Sequence, residues 1–256
     1  MSGLRWNDWL RLPEAALAGD RRIPKTVLTR QAQLTRTEQK VLDRVGALTH
    51  FATVQKSTTR IAPTVDDERD IQSVLFLRCE LARGAAYAEV ARLVHKCFPN
   101  PTVILFGGED EACVSVATTR RSLAEQGATV IDAIESTGAF DPDDKRFEPF
   151  LDAISFERLP QADLLAYLDG IVWAVRLSRA VPSLGFYPTC SNDDLGRLEG
   201  LIARRDELAA QVASMRELRR SKDISLNDSA RLRIDLKERE TELGRTTDEI
   251  KEICNG

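Results

Sequence analysis

Histidine and cysteine are scarce in this chain, and their spacing excludes several kinds of site. Only two histidines, His50 and His95, occur among the 256 residues. His95 lies two positions before Cys97, so on a helix the two side chains point about 200° apart and form neither a nucleophile–base pair nor a chelating pair. The five cysteines are widely separated and include no Cys-x-x-Cys pair, which favours reduced thiols over a disulfide framework. We therefore predict no metal site.

Long hydrophobic runs are also absent. No segment approaches the roughly 18 apolar residues that a membrane-spanning helix needs. The polar N-terminus lacks the apolar core and the cleavage site of a secretory signal. Hydrophobic residues nevertheless make up 43% of the chain, which is enough for a folded core. We expect a globular cytoplasmic protein that has no membrane partner.

An excess of positive charge is missing as well. The chain has 36 Lys and Arg residues against 40 Asp and Glu residues, which gives a net charge of −4. This balance excludes a globally basic nucleic-acid coat protein but allows a local basic patch.

A glycine-rich phosphate loop is not found either. Gly107 and Gly108 are followed by Glu109, Asp110 and Glu111, three acids that would repel a phosphate. Because apolar runs flank this segment, it predicts a tight connection between two antiparallel strands. We expect no cofactor.

The patterns that are present indicate an α+β fold over residues 1–190. Apolar runs predict a mixed β-sheet of about five strands, flanked by helices. Candidate strands lie at 23–28, 51–55, 71–81, 102–106, 112–117 and 128–134, and candidate helices at 4–18, 36–48, 85–97, 145–154 and 161–179. Thr35 and Glu38 carry the signature of a capping box. The run 102–106 lacks alternation, so this strand should be buried on both faces.

Residues 191–256 predict a C-terminal antiparallel helical hairpin, a short coiled coil. Its first helix spans about 193–220, with an apolar stripe that includes Leu208, Val212 and Leu218, and residues 221–227 supply the turn. The second helix has a seam with alternating steps of four and three at Leu232, Leu236, Arg239, Leu243, Thr246, Ile250 and Ile253. Because polar residues interrupt this seam, it leaves room for a helix from a partner or from a second copy.

Positive charge is concentrated around the turn of this hairpin. The cations are Arg216, Arg219, Arg220, Lys222, Arg231 and Arg233. Folding gathers them at one end, where they are suited to contact phosphates without reading sequence, or an acidic surface of a partner. A solvated end without a binding role is the alternative.

A metal-dependent nuclease is the alternative enzymatic interpretation. Such chemistry needs an acid near one strand and an acid with a lysine on the next, so that Mg²⁺ and a water are held together. Asp70 and Glu80, at the two ends of the candidate strand 71–81, are the candidate catalytic acids. Leu81 and Ala82 follow Glu80 where a lysine is needed, which favours a solvated acidic turn leading into a core strand.

Six segments agree in order and spacing with one known family over nearly the whole chain. They are Ile23-Pro24-Lys25, Val41-Leu42, Ile71-Gln72-Ser73-Val74, Pro99 to Phe106, Leu159 to Tyr167 and Lys222 to Asn227. Together they resemble a bacterial family of domains of unknown function, DUF4391. The chain departs from the family pattern at Asp70, where Glu is usual, and at Asp228-Ser229, where more basic residues are usual.

The resemblance implies a role, although the family has no assigned activity or catalytic residues. Genes of the family lie beside helicases and DNA methyltransferases in bacterial defence or restriction–modification islands. The resemblance therefore implies an accessory, non-catalytic subunit that docks on a helicase or methyltransferase and acts with it on foreign DNA. The departure at Asp228 weakens the case for DNA contact at the hairpin turn.

Overall fold

The chain forms two compact units, Met1–Arg179 and Ala180–Gly256. The computed structural model describes residues 6–32, 34–82, 85–98, 100–108, 111–124, 128–220 and 226–255. Its mixed sheet, flanking helices and C-terminal helical hairpin confirm the predicted fold class.

The first unit is built on a sheet of six strands, which contains five of the candidate strands and one strand, Leu17–Arg22, that the sequence did not predict. Its strands are β1 (Leu17–Arg22), β2 (Val45–Gln55), β5 (Ser73–Leu81), β6 (Thr102–Gly107), β7 (Ala112–Arg121) and β8 (Thr129–Ser136), in the order β1-β2-β5-β6-β7-β8. Neighbouring strands are antiparallel except β5 and β6, which run parallel. A separate two-stranded ladder joins β3 (Thr64–Val65) and β4 (Asp70–Ile71).

Helices cover both faces of this sheet. They are α1 (Trp6–Leu10), α2 (Lys25–Gln31), α3 (Arg36–Asp43), α4 (Lys56–Thr59), α5 (Tyr87–Lys96), α6 (Glu148–Ala153) and α7 (Leu164–Ser178), with 3₁₀ turns at Glu14–Ala16 and Lys145–Phe147. A parallel strand pair needs a crossover connection, and α5 supplies it between β5 and β6.

The core lies on both sides of the central strands. On one face, Val90 and Val94 of α5 belong to the same buried cluster as Leu77 of β5. Val74 and Phe76 point to the opposite face because side chains alternate along a strand, and α7 packs on that side. Thr102 to Phe106 of β6 are all buried, as the absence of alternation predicted.

The predicted strand at 23–28 is wrong. Residues Lys25–Gln31 form helix α2. The residue before a proline avoids helical conformation, but this rule restricts Ile23 alone. Pro24 has φ −64° and needs no hydrogen bond through its nitrogen, so it is well suited to begin a helix.

The predicted helix at 4–18 is wrong beyond Leu10, and its first two residues lie outside the described part of the chain. α1 ends at Leu10, after which Arg11 adopts a left-handed conformation with φ 48°. Leu17–Arg22 instead forms strand β1, because its backbone pairs with β2. The helix predicted at 36–48 also ends early, at Asp43. Strand pairing is the reason, because Val45 already pairs with Leu81 of β5.

Both outer strands of the sheet are irregular. In β1 the pairing register shifts around Gly19 and Asp20, which have φ values of 65° and 55°. The Asp20 carboxylate lies 3.4 Å from Nη1 of Arg78. In β8 the pairing skips Asp132, whose carboxylate lies 3.4 Å from Nε of Arg120. These irregularities are β-bulges, which bend and twist a strand locally.

The second unit contains the short helix α8 (Val181–Leu184) and the long helices α9 (Leu195–Arg220) and α10 (Leu226–Asn255). Ser183 of α8 donates a hydrogen bond to the Asp206 carboxylate of α9, with 2.6 Å between the oxygens. Among the described residues, no helix combines the length and the apolar character that crossing a membrane requires.

Candidate partner interface on the helical hairpin

The helices α9 and α10 pack along the predicted seam. Leu236, Thr246, Ile250 and Ile253 of α10 are buried, and the remaining seam residues Leu232, Arg239 and Leu243 are half-buried. On α9, Leu195, Leu198, Leu208 and Val212 are buried. Since only residues 221–225 connect the two helices, this packing is antiparallel. The seam is therefore occupied by the first helix of the same hairpin.

The two polar seam residues find partners within their own helix. Thr246 Oγ1 donates to the Glu242 carbonyl at 3.1 Å, a bond that lets a hydroxyl sit in a buried helix face. Arg239 Nη1 donates to Oε2 of Glu242 at 2.9 Å. The interruptions thus reduce the apolar area of the seam without leaving a buried polar group unpaired.

Ion pairs join the two helices outside the seam. Arg204 of α9 donates to Glu242 at 2.6 Å, and Arg216 donates to Glu240 at 2.7 Å. The hydrogen bond from Arg204 holds the pKa of the Glu242 carboxyl below its usual value. Exposed pairs of this kind contribute little stability, so the buried aliphatic residues carry most of the packing energy.

The predicted basic residues differ in how they are placed. Arg216 is engaged with Glu240, whereas Arg219, Arg231 and Arg233 are exposed and form no ion pair with any described residue. Lys222 lies outside the described residues, as does the side chain of Arg220, the last residue of α9. Within the described part of the chain, these three arginines are thus exposed cations without a carboxylate partner.

Two exposed apolar side chains lie in the same part of the hairpin. Leu218 is 54% exposed, although its place in the α9 stripe predicted packing, and Ile234 is 60% exposed. Ile234 lies midway between the seam residues Leu232 and Leu236, about 200° around the helix from each, so the seam spacing itself identifies it as an outward residue.

Ile234 lies at one end of a shallow cleft on α10 and is the apolar residue of its lining. The cleft has a volume of about 750 Å³ and is lined by Arg233, Ile234, Lys237, Glu238, Thr241, Glu242 and Arg245. Three of these side chains are cations, and one of the two carboxylates, Glu242, is already paired with Arg204 and Arg239. We refer to these seven residues as the outer face of α10. Sequence reasoning named only Arg233 among them.

The two candidate catalytic acids are far apart. Asp70 in β4 accepts a hydrogen bond from Gln72 at 2.7 Å, and its other oxygen lies 3.9 Å from Nη2 of Arg121. Glu80 is exposed near the end of β5. The stretch from Ser73 to Glu80 alone spans about 23 Å in an extended strand, so the two acids do not share a metal. In the described parts of the chain, no three His, Cys, Asp or Glu side chains are grouped to hold a metal ion.

One buried serine–histidine pair was not recognised in the sequence. His95 Nε2 lies 3.0 Å from Ser115 Oγ, and Ser115 donates to the Glu135 carbonyl at 3.2 Å. The pair is closed to solvent, and no described residue is a hydrogen-bond partner of Nδ1 of His95. Burial lowers the pKa of His95 to about 3, so the imidazole is neutral. The pair therefore packs in the core. To predict it from the sequence, one would need the pairing register of β6 with β7, which places Ser115 under α5.

Comparison with known proteins gives one match. A family model described as "Domain of unknown function (DUF4391)" matches residues 10–243, which cover the sheet, its helices and most of the hairpin. No curated protein matches the chain, and no solved structure does. The chain therefore belongs to the DUF4391 family.

Proposed function

We propose that this protein is an accessory, non-catalytic subunit of a bacterial anti-phage defence or restriction–modification complex. In this proposal it docks on a helicase or DNA methyltransferase subunit through the outer face of α10. The first unit provides a stable body, and the hairpin is the binding arm. The proposal places the protein in the cytoplasm, where such complexes act.

The exposure of Ile234 among cations is the observation that carries the proposal. A large apolar side chain that is 60% exposed gains free energy when a partner covers it. Arg233 and Lys237 beside it, and Arg245 at the far end of the same cleft, favour a partner surface with carboxylates. Specific protein interfaces combine buried apolar contacts with polar contacts at their rim.

Co-purification from the native host tests the proposal. The tagged protein is recovered with and without nuclease treatment, and retained partners are identified by mass spectrometry. We expect a helicase or methyltransferase to be retained after nuclease treatment. Ile234→Asp should reduce the retained partner at least about tenfold, the equivalent of about 1.4 kcal/mol.

A charge reversal elsewhere on the same helix is the matched control. Lys251→Glu changes an exposed cation that pairs with Asp248, outside the outer face. This variant should retain the partner at the wild-type level. If Ile234→Asp also retains it, the outer face of α10 is not the docking site.

Direct DNA binding is a second candidate function, supported by three exposed arginines near the turn that form no ion pair with the described residues. Phosphate contacts of this kind give weak, sequence-independent binding that falls steeply with salt. Reversing Arg219 and Arg231 to Glu should lower the affinity for duplex DNA and flatten its salt dependence. Partners that disappear on nuclease treatment would favour this function over protein docking, and binding that the reversals leave unchanged would remove it.

A further inference from the structure

Two cysteines of the second unit differ from the others in their exposure. Cys79, Cys97 and Cys113 are buried in the first unit, whereas Cys190 and Cys254 are partly exposed. Cys190 lies in the segment that leads to α9, and Cys254 lies in the last turn of α10. Small thiol reagents can therefore reach this pair more readily than the three buried cysteines.

A hydrogen bond holds the chain around Cys190 against the end of α10. Thr189 Oγ1 donates to the Cys254 carbonyl at 3.2 Å. This carbonyl lies in the last turn of the helix, where no further residue of the helix can donate to it. Cys190, the next residue along the chain, lines one cleft of about 570 Å³ together with Ile253, the neighbour of Cys254. Cys190 and Ile253, which are 63 positions apart in the sequence, thus line the same cleft.

The electrostatics of Cys190 also indicate a nearby second thiol. Burial raises the pKa of Cys190, and the charges of Cys254, Asp194 and Glu199 raise it further. A thiolate at Cys190 is therefore uncommon at neutral pH. Because the thiolate is the attacking species in disulfide exchange, oxidation here should be slow at neutral pH and faster in mild alkali.

We propose that Cys190 and Cys254 form an intramolecular disulfide by exchange with a low-molecular-weight disulfide such as oxidised glutathione. One cysteine loses its proton to solvent, attacks a sulfur of oxidised glutathione and expels one glutathione thiolate. The second cysteine, also deprotonated, attacks the protein sulfur of the mixed disulfide and expels the other glutathione. The protein loses two electrons and two protons, and one oxidised glutathione becomes two reduced molecules.

The bond would fasten the last turn of α10 to the segment that precedes α9. It would close the base of the hairpin, at the end opposite the turn. This modification site is independent of the proposed docking function, because neither cysteine belongs to the outer face of α10.

Mass spectrometry of the full chain tests the proposal. The reduced protein is incubated with oxidised glutathione at pH 7 and at pH 8.5, and the products are alkylated, digested without reductant and mapped. We expect a cross-linked peptide pair containing Cys190 and Cys254, with an initial rate that rises roughly tenfold per pH unit below the thiol pKa. Denaturation before alkylation should then reveal three remaining thiols, Cys79, Cys97 and Cys113.

Single serine variants distinguish closure from simple glutathione addition. Cys190→Ser and Cys254→Ser should each stop at the mixed disulfide with one glutathione, which does not accumulate in the wild type. A wild-type protein that carries glutathione on both thiols, forms a linked dimer, pairs either thiol with a buried cysteine, or stays reduced at pH 8.5 would overturn the proposal.

Discussion

Lys96 at the end of α5 donates a 2.7 Å hydrogen bond to Glu38 in the first turn of α3. The other carboxylate oxygen of Glu38 accepts from the Thr35 backbone N–H at 2.7 Å, and Thr35 Oγ1 accepts from the Glu38 N–H. The Lys96 hydrogen bond, with those of Thr35, lowers the pKa of Glu38 to about 2. The capping box thus joins two helices that pack on the same face of the sheet.

Replacing the cap should destabilise the first unit. Thr35→Ala leaves a first-turn N–H without its side-chain acceptor, so we expect a loss of about 1 kcal/mol in the free energy of unfolding. Denaturant titration followed by circular dichroism measures it. Thr37→Ala, in the same turn but without a role in the cap, is the control and should change stability by less than about 0.5 kcal/mol. Equal effects of the two variants would contradict the capping role.

The buried His95 should make stability depend on pH. Its pKa in the folded protein is about 3, below its ordinary value of 6.5, so the unfolded chain binds a proton that the folded protein does not. Stability from this residue is therefore complete above pH 6.5 and falls with decreasing pH by up to about 1.4 kcal/mol per unit, until about pH 3. Unfolding titrations across pH 4 to 7 measure this slope.

A glutamine variant isolates the histidine contribution from that of the carboxylates. His95→Gln keeps a donor toward Ser115 but does not titrate, so its stability should fall less steeply than that of the wild type between pH 6.5 and 4. Parallel pH curves for wild type and His95→Gln would show that the imidazole is not held neutral.

Two glycines in helices should respond oppositely to alanine. A Cβ at Gly170 of α7 would lie 2.7 Å from Cδ of Pro160 and 3.0 Å from Leu159, so the helix would have to shift. We expect Gly170→Ala to cost about 1–3 kcal/mol. A Cβ at Gly200 of α9 meets nothing within 4 Å, so Gly200→Ala should raise helix stability by up to about 1 kcal/mol. Thermal melts of both variants test whether the first is destabilised and the second is stabilised.

Substitutions in the seam of α10 should lower stability, whereas substitutions on the outer face of α10 should affect binding and leave stability unchanged. Leu236 is 4% exposed, so Leu236→Ala should destabilise the hairpin by about 2–5 kcal/mol. Ile234→Ala removes an exposed side chain and should change stability by less than about 0.5 kcal/mol. Hydrogen exchange of the backbone amides of α9 and α10 measures the stability of the hairpin in both variants. If Ile234→Ala loosened the hairpin as Leu236→Ala does, Ile234 would be a packing residue and unsuited to docking.

Periodicity predicted most of the fold because burial leaves its pattern in the sequence. The seven-residue spacing of Leu236, Leu243 and Ile250 predicted the hairpin packing, and the unbroken apolar run at 102–106 predicted the doubly buried strand. Strand β1 could not be found in this way. Its sequence, Leu-Ala-Gly-Asp-Arg-Arg, is polar, and it is extended because β2 offers it backbone partners.

The candidate site was only partly predictable, since composition shows where charge lies and not how it is paired. Arg216 and Arg233 look alike in sequence, but Arg216 binds Glu240 and Arg233 is free of ion pairs with the described residues. The exposure of Leu218 is likewise not visible in the apolar stripe to which it belongs. The spacing of Ile234 between two seam residues did contain the needed information, because an apolar residue opposite a seam must face outward.

The bulges at Asp20 and Asp132 affect how copies of this protein meet. An outer strand with regular, unpaired backbone groups readily joins the outer strand of another molecule, which starts aggregation. Here each outer strand is bent by a bulge that carries an aspartate, so two sheets cannot align edge to edge over their full length. The sheet is thereby kept from extending into a fibre, and the protein should stay dispersed at high concentration.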